Sequence, residues 1–216
     1  MRHKIRKFVE GLLFWGSLNK RDFPWRKESD PYKILIAELM LQRTKAEQVV
    51  RVYEIFLERF PKPRNLAKSS IREIERIIKP LGLAYRAKRL KMLGEEILSE
   101  GGIPSESKKL TRIHGVGDYA ASAVLCFAYG QHTAVVDSNV ARIVKRVFSL
   151  NFGSDPHKRE ELWKFMQDLV PEGRAKEFNW SILDFGSLIC APKKPKCNIC
   201  PLNSVCDYYL TKIKSA

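Results

Sequence analysis

Four cysteines gathered near one end of the chain are the first residues whose type and spacing promise chemistry: Cys190-x6-Cys197-x2-Cys200-x5-Cys206. Pro192, Pro195 and Pro201 stiffen the loops between them. Four soft thiolates suit either zinc or an iron–sulfur cluster. Zinc sites usually pair two short Cys-x2–4-Cys knuckles, and here only Cys197 and Cys200 form one. A disulfide scaffold would spread its cysteines, whereas the chain before this segment has only Cys126, read as buried packing. The usage therefore points to a reducing interior and a metal centre.

A second signal is Lys109-Leu110-Thr111-Arg112-Ile113-His114-Gly115-Val116-Gly117-Asp118-Tyr119-Ala120-Ala121. A helix runs into a Gly-Val-Gly turn and a small-residue helix starts at once. Glycine permits positive φ and close backbone approach, and successive amides at a helix start form a nest for an anion. Gly115, Val116 and Gly117 are thus candidate phosphate contacts in a helix-hairpin-helix, with a plain tight turn as the competing reading. A third signal is Glu38, a carboxylate in the otherwise apolar run Ile34 to Leu41. Buried there, it is costly unless it has a function; on a solvent face it is an ordinary helix glutamate.

These residues need elements to hold them, and the periodicity is helical almost throughout. Ile5, Phe8, Val9, Leu12 and Leu13 mark one face of an amphipathic first helix. Asp30-Pro31 supplies an N-cap and an N1 proline for a second helix through Leu41. Further helices are expected over 45–59, 70–78, 85–99, 105–113, 118–129, 138–148, 158–170 and 175–189, punctuated by prolines 61, 63 and 80. No run of strand alternation interrupts them, so the fold class is all-α.

The chain has 216 residues, 44% of them hydrophobic, enough for a substantial core in one large domain or two small ones. Gly and Pro occur at ordinary levels, which excludes collagen-like and low-complexity classes. No stretch reaches the ~18 apolar residues of a membrane span. Residues 1–18 contain Glu10 and no small-residue cleavage site, so they do not read as a leader. The formal net charge of +15 exceeds what solubility needs and attracts phosphates, making nucleic acid the leading partner, with a ribosomal or merely solvated basic surface as the bland alternative.

The hairpin, an acidic residue about twenty positions later in Val135-Val136-Asp137-Ser138-Asn139-Val140-x-Arg142, and the cysteine spacing together resemble the endonuclease III superfamily of DNA glycosylases. The resemblance covers nearly the whole chain. Arg21-Asp22-Phe23-Pro24-Trp25-Arg26, the segment from Asp30 to Thr44, and Phe178-Asn179-x4-Asp184-Phe185-x3-Ile189-Cys190 look like its mismatch-specific branch, the MutY adenine and Mig-type thymine glycosylases. This implies a two-lobed helical fold, a six-helix lobe at 21–133 and a cluster lobe at 1–20 plus 134–216, with a cleft for an extruded nucleotide. It also implies a 4Fe-4S cluster on Cys190, Cys197, Cys200 and Cys206, held in a loop whose Lys193, Lys194 and Lys196 contact phosphate or stand in solvent.

Glycosidic cleavage passes through a cationic sugar, so a fixed negative charge beside C1′ is needed. By resemblance Asp137 supplies it; as a bare sequence feature it is an N-cap for the helix from Ser138, and the two roles are compatible. The matching glutamate, Glu38, contacts the target base or the attacking water. Tyr119 stands where the bifunctional branch carries its Schiff-base lysine, and a phenol cannot form an imine. Tyr119 then positions Asp137 or the flipped nucleotide, or simply packs. Leu41, Gln42 and Arg43 would enter the duplex, the competing reading being core plus surface, and Arg26 would border the pocket beside Trp25.

His114 replaces the family's usual proline and Asp118 a frequent Lys or Arg, which weakens the expected phosphate grip rather than the fold. Gln42 is MutY-like, Arg43 Mig-like, and no room follows Cys206 for the extra domain of MutY proteins. The resulting expectation is a monofunctional enzyme that removes thymine or uracil opposite guanine. It would act as a monomer on double-stranded DNA containing a mispair, in the cytoplasm of a prokaryotic cell, associated with the nucleoid and no membrane. A MutY-type adenine glycosylase, a bifunctional glycosylase/lyase and a non-catalytic DNA-binding module are the alternatives.

Overall fold

The structure, a computed structural model, describes residues 1–82 and 84–212. Among the described residues every regular element is helical and no strand is present. No described helix is long and apolar enough to cross a membrane. The chain divides into two compact units, one formed by Asp22–Gln131 and the other by Met1–Arg21 with His132–Ala216.

In the unit Asp22–Gln131, α2 (Pro31–Leu41) starts where Asp30 caps it, the carboxylate accepting from the Tyr32 amide at 2.8 Å, with Pro31 at the first helical position. Nearly all of α2 is buried. It packs against α3 (Ala46–Arg59) and α8 (Asp118–Phe127), whose small residues Ala120, Ala121, Ser122 and Ala123 let the two helices approach. The Tyr32 hydroxyl donates to the Phe60 carbonyl at 3.0 Å and pins the far end of α3 to the start of α2. Helix α4 (Pro63–Lys68) lies on α6 (Ala87–Ser99), and α5 (Ile71–Ile78) begins at Ser70, whose hydroxyl accepts from the Glu73 amide. Gly94 is required at the α4/α6 contact: a Cβ there would come within 2.9 Å of the Ala67 backbone nitrogen and 3.1 Å of the Pro63 carbonyl.

Two elements depart from the periodicity. The expected helix over 105–113 is only α7 (Ser107–Leu110), because the chain must turn before Gly115 and cannot stay helical through Ile113. Conversely, Pro63 does not merely punctuate. It occupies the first turn of α4, where the missing N–H costs nothing.

In the other unit, α1 (Arg2–Asn19) packs against α11 (Ala175–Leu188), so closely that a Cβ at Gly16 would run into Ser181. Trp15 meets Phe185 edge-on at 5.3 Å, and Phe8 meets Phe148 at 5.2 Å. Arg21 Nε donates to the buried Asp184 carboxylate at 2.6 Å, tying the end of the N-terminal segment to α11. Helices α9 (Ser138–Phe148), α10 (Glu160–Leu169) and α12 (Asp207–Lys212) complete the unit, α9 lying against both α11 and α12.

Candidate active site

The unit Asp22–Gln131 carries the hairpin. Ile113 and Val116 are buried and anchor the turn, the Val116 amide donating to the Ile113 carbonyl at 3.0 Å. Gly115 has φ +86°, a left-handed conformation that a side chain would strain. The His114 amide donates to Glu96 Oε2 at 2.6 Å, which fixes the turn on α6. Gly117 is the N-cap of α8 and makes no side-chain cap hydrogen bond to the first turn. Tyr119, half-buried, lies in that first turn.

Glu38 is 4% exposed on α2. A carboxylate taken that far out of water on an apolar helix is a substantial cost, and it is the feature that the sequence singled out at this position. The helix ends at Leu41, the Arg86 guanidinium donating to the Leu39 carbonyl at 3.0 Å. Gln42 is then extended, and Arg43 has φ +62°, unusual for a residue with a side chain, with its guanidinium exposed. Leu41 and Gln42 are half-buried. Arg26 is buried beside Phe23, whose ring lies 5.5 Å from its guanidinium carbon, and Phe23 stacks on Trp25 at 4.8 Å. Trp25 in turn meets Tyr53 edge-on, and burial together with Glu28 and Asp30 pushes the Tyr53 phenol well above the ordinary range.

In the unit of Met1–Arg21 and His132–Ala216, Asp137 is the N-cap of α9. Oδ1 accepts from the Val140 amide at 2.8 Å and Oδ2 from Asn139 Nδ2 at 2.6 Å. The capping reading is therefore a fact of the structure. It does not consume the group, since a carboxylate has about four acceptor positions and Asp137 is only half-buried. The segment leading into it is held by the fully buried Asn179, which accepts from the Val135 amide at 2.8 Å and donates to the Thr133 and Ala175 carbonyls. From Asp137 a chain of hydrogen bonds continues: Asn139 Oδ1 accepts from Arg142, and Arg142 donates to the Gly186 and Cys190 carbonyls. Arg146 donates to the carbonyls of Ala191 and Pro192 and lies 3.4 Å from Cys190 Sγ.

That chain leads to the four cysteines. Cys190, Cys197, Cys200 and Cys206 all line one pocket, together with Phe185, Leu202, Tyr208 and others. Burial pushes the Cys200 thiol up to about 12, and the charges of the other three cysteines push the same way. No carboxylate or histidine lines the pocket, so the four sulfurs are its soft donors. Among the described residues no three His, Cys, Asp or Glu side chains form a group that could hold a metal ion. Lys193, Lys194 and Lys196 are exposed on the loop between the first two cysteines.

The sequence thus marks Asp137, Glu38, the hairpin and the cysteines but assigns no role to Asn139, Arg142, Arg146 or Asn179. Asn179 and Asp184 did leave a signal, polar residues in the middle of an apolar helix. Arg142 stands in the motif around Asp137 without a legible role, and Arg146 left no signal, because their carbonyl partners are more than forty residues away.

Comparison with known proteins places this geometry. Residues 36–168 match the HhH-GPD family, described as HhH-GPD superfamily base excision DNA repair protein. The chain is 44% identical over 211 residues to a thymine/uracil-DNA glycosylase of Pyrobaculum aerophilum, covering 94% of this chain and 92% of that protein. It is 33% identical over 217 residues to the adenine DNA glycosylase of Homo sapiens, covering 94% of this chain but 39% of that one. Among solved structures, a thermostable thymine-DNA glycosylase superposes with a TM-score of 0.92 at 36% identity, over 97% of this chain and 98% of that chain.

Proposed function

The chain belongs to the HhH-GPD superfamily of base excision DNA repair proteins, and from that premise we propose that it is a monofunctional, mismatch-specific DNA glycosylase that hydrolyses the N-glycosidic bond of thymine or uracil opposite guanine. The observation that carries this reading is its similarity, along nearly all its length, to proteins named thymine/uracil-DNA glycosylases.

The residues support the chemistry. Extruding the target base costs a few kcal/mol, least at a mispair, so selectivity begins in the substrate. Phosphates of the duplex are met by the uncapped amides of α8 and by the exposed Lys193, Lys194 and Lys196. Asp137, held by the Val140 amide and Asn139, keeps lone pairs for a positive C1′. The C1′–N1 bond breaks with its electron pair on the departing base, water oxygen bonds C1′, and the released proton ends on the base. Glu38 orients that water or holds the base edge. Tyr119 offers no amine for an imine, so the product is an abasic site with an intact strand. Arg43, exposed at the end of α2, faces guanine as a donor to its O6 and N7 acceptors. The protein acts as a monomer on a mispaired duplex.

We propose further that the four cysteines, as four soft donors lining one carboxylate-free pocket, are the ligands of an iron–sulfur cluster. A 4Fe-4S cluster held by Cys190, Cys197, Cys200 and Cys206 would give the loop a fixed core. The chain's own residues do the rest, Arg142 and Arg146 holding the loop carbonyls and the lysines projecting from it. Protein purified without air is expected to be brown, with about four irons per chain; one zinc and no iron would overturn the assignment.

The function is tested by product analysis on a panel of mispaired duplexes. Free thymine from T:G and free uracil from U:G, strand breakage only after alkali, and no adduct trapped by borohydride are expected. Trapped protein, or strand breakage without alkali, would instead indicate a lyase. Duplex binding with no base released from any mispair would reduce the protein to a binding module.

A further inference from the structure

At the opposite end of α9 from Asp137 the same unit has an open pocket of about 270 Å³ between the end of α9 and α12. Four of its lining residues are cations, Arg142, Lys145, Arg146 and Lys212. The remaining three, Ser149, Tyr208 and Thr211, bear hydroxyls, and no carboxylate is among them.

Two features separate this cavity from ordinary basic surface. Three exposed cations elsewhere in the unit sit on carboxylates: Lys158 on Asp155, Lys164 on Glu160, Arg174 on Glu177. Among the described residues, none of the four cations of the cavity makes such an ion pair. The arginines are also rigid before any ligand arrives. Arg142 is fixed by the Gly186 and Cys190 carbonyls and Arg146 by those of Ala191 and Pro192, with its guanidinium 5.1 Å from the centre of the Tyr208 ring. Cations in a last helical turn complement the helix dipole, which accounts for Lys145 and Arg146 on α9 and for Lys212 on α12. It explains neither Arg142 nor the three hydroxyls.

We propose that this cavity is a binding site for a phosphate group, gripped by Lys145 and Lys212 and oriented by the Ser149 and Tyr208 hydroxyls against the fixed arginines. A multiply charged, oxygen-rich tetrahedral anion is the ligand that such a set of donors without acceptor charges selects. The phosphate comes either from the DNA backbone or from a small free phosphate compound, and one experiment serves for both.

Cluster-loaded protein is titrated calorimetrically with inorganic pyrophosphate, and its duplex affinity is measured across a salt series. The wild type is compared with Lys145→Gln, with the charge-neutral Tyr208→Phe, and with Lys164→Gln as a surface control. Lys145→Gln should weaken pyrophosphate binding about tenfold, the size of one charge-assisted hydrogen bond. Tyr208→Phe should weaken it severalfold at unchanged net charge, and the control should match the wild type. If the phosphate is that of DNA, pyrophosphate competes with duplex and the salt slope of Lys145→Gln falls by about 1. If it is a free compound, pyrophosphate binds without competing and the slope stays. The proposal is overturned if neither pyrophosphate affinity nor salt slope distinguishes the variants from wild type, or if Lys164→Gln changes as much as Lys145→Gln.

Discussion

The starts of α8 and α9 solve one problem in opposite ways. Both helices begin with amides that have no intrahelical partner. At α8 the chain places Gly117, which brings no side-chain cap, behind a left-handed Gly115, the arrangement read above as a phosphate nest. At α9 it places Asp137, which takes the Val140 amide and is itself steadied by Asn139. A glycine start forgoes the few tenths of a kcal/mol by which a side-chain cap exceeds it and gains a phosphate site; a capped start gains that stability and fixes a negative charge in one orientation. Stability and function are thus opposed at α8 and joined at α9.

Four substitutions separate the two cases. The largest effect is expected from Asp137→Asn. Asparagine caps as well as aspartate, so the melting temperature and duplex affinity should hold, while single-turnover base release falls by ~10² to 10⁴. Near-normal release would leave Asp137 as a cap alone. Next is Asn179→Ala, which strips the buried partner of Val135 and Thr133 ahead of α9. Denaturant unfolding should show a loss of about 2 kcal/mol, and an unchanged midpoint would mean that the segment is held otherwise.

Gly117→Ser should move the α8 start towards the α9 solution. A Cβ there meets nothing within 4 Å, so the variant folds and gains a few tenths of a kcal/mol from the cap. Its hydroxyl competes with phosphate, and fluorescence anisotropy should show duplex affinity down about tenfold, roughly one charge-assisted hydrogen bond. Tighter binding would contradict the open-nest account. The smallest change belongs to Asn139→Ala, which frees Asp137 Oδ2 but leaves the Val140 bond. A severalfold drop in release with unaltered melting is expected, and no drop would show that the cap alone orients the acid.

How much of this was legible in the sequence follows the range of the interactions. Asp30-Pro31 and Asp137-Ser138 announce helix starts within a few residues of themselves, and both are where the pattern puts them. Four apolar-faced positions around Ile71 to Ile78 likewise suffice for α5. The shortened α7 was missed because turn geometry at Gly115 overrode local helical preference, and α4 because its prolines read as breaks. The support behind Asp137 was illegible for a different reason. Arg142 and Arg146 act on backbone carbonyls of a distant loop, and a carbonyl has no letter in the sequence.

The central claim is the identity of the released base, and the most direct measurement is the ratio of single-turnover rate constants for thymine release from T:G and adenine release from A:G in otherwise identical duplexes. Thymine leaving faster, with adenine release near background, is the predicted result. Adenine leaving faster than thymine would contradict it and assign the protein to adenine removal.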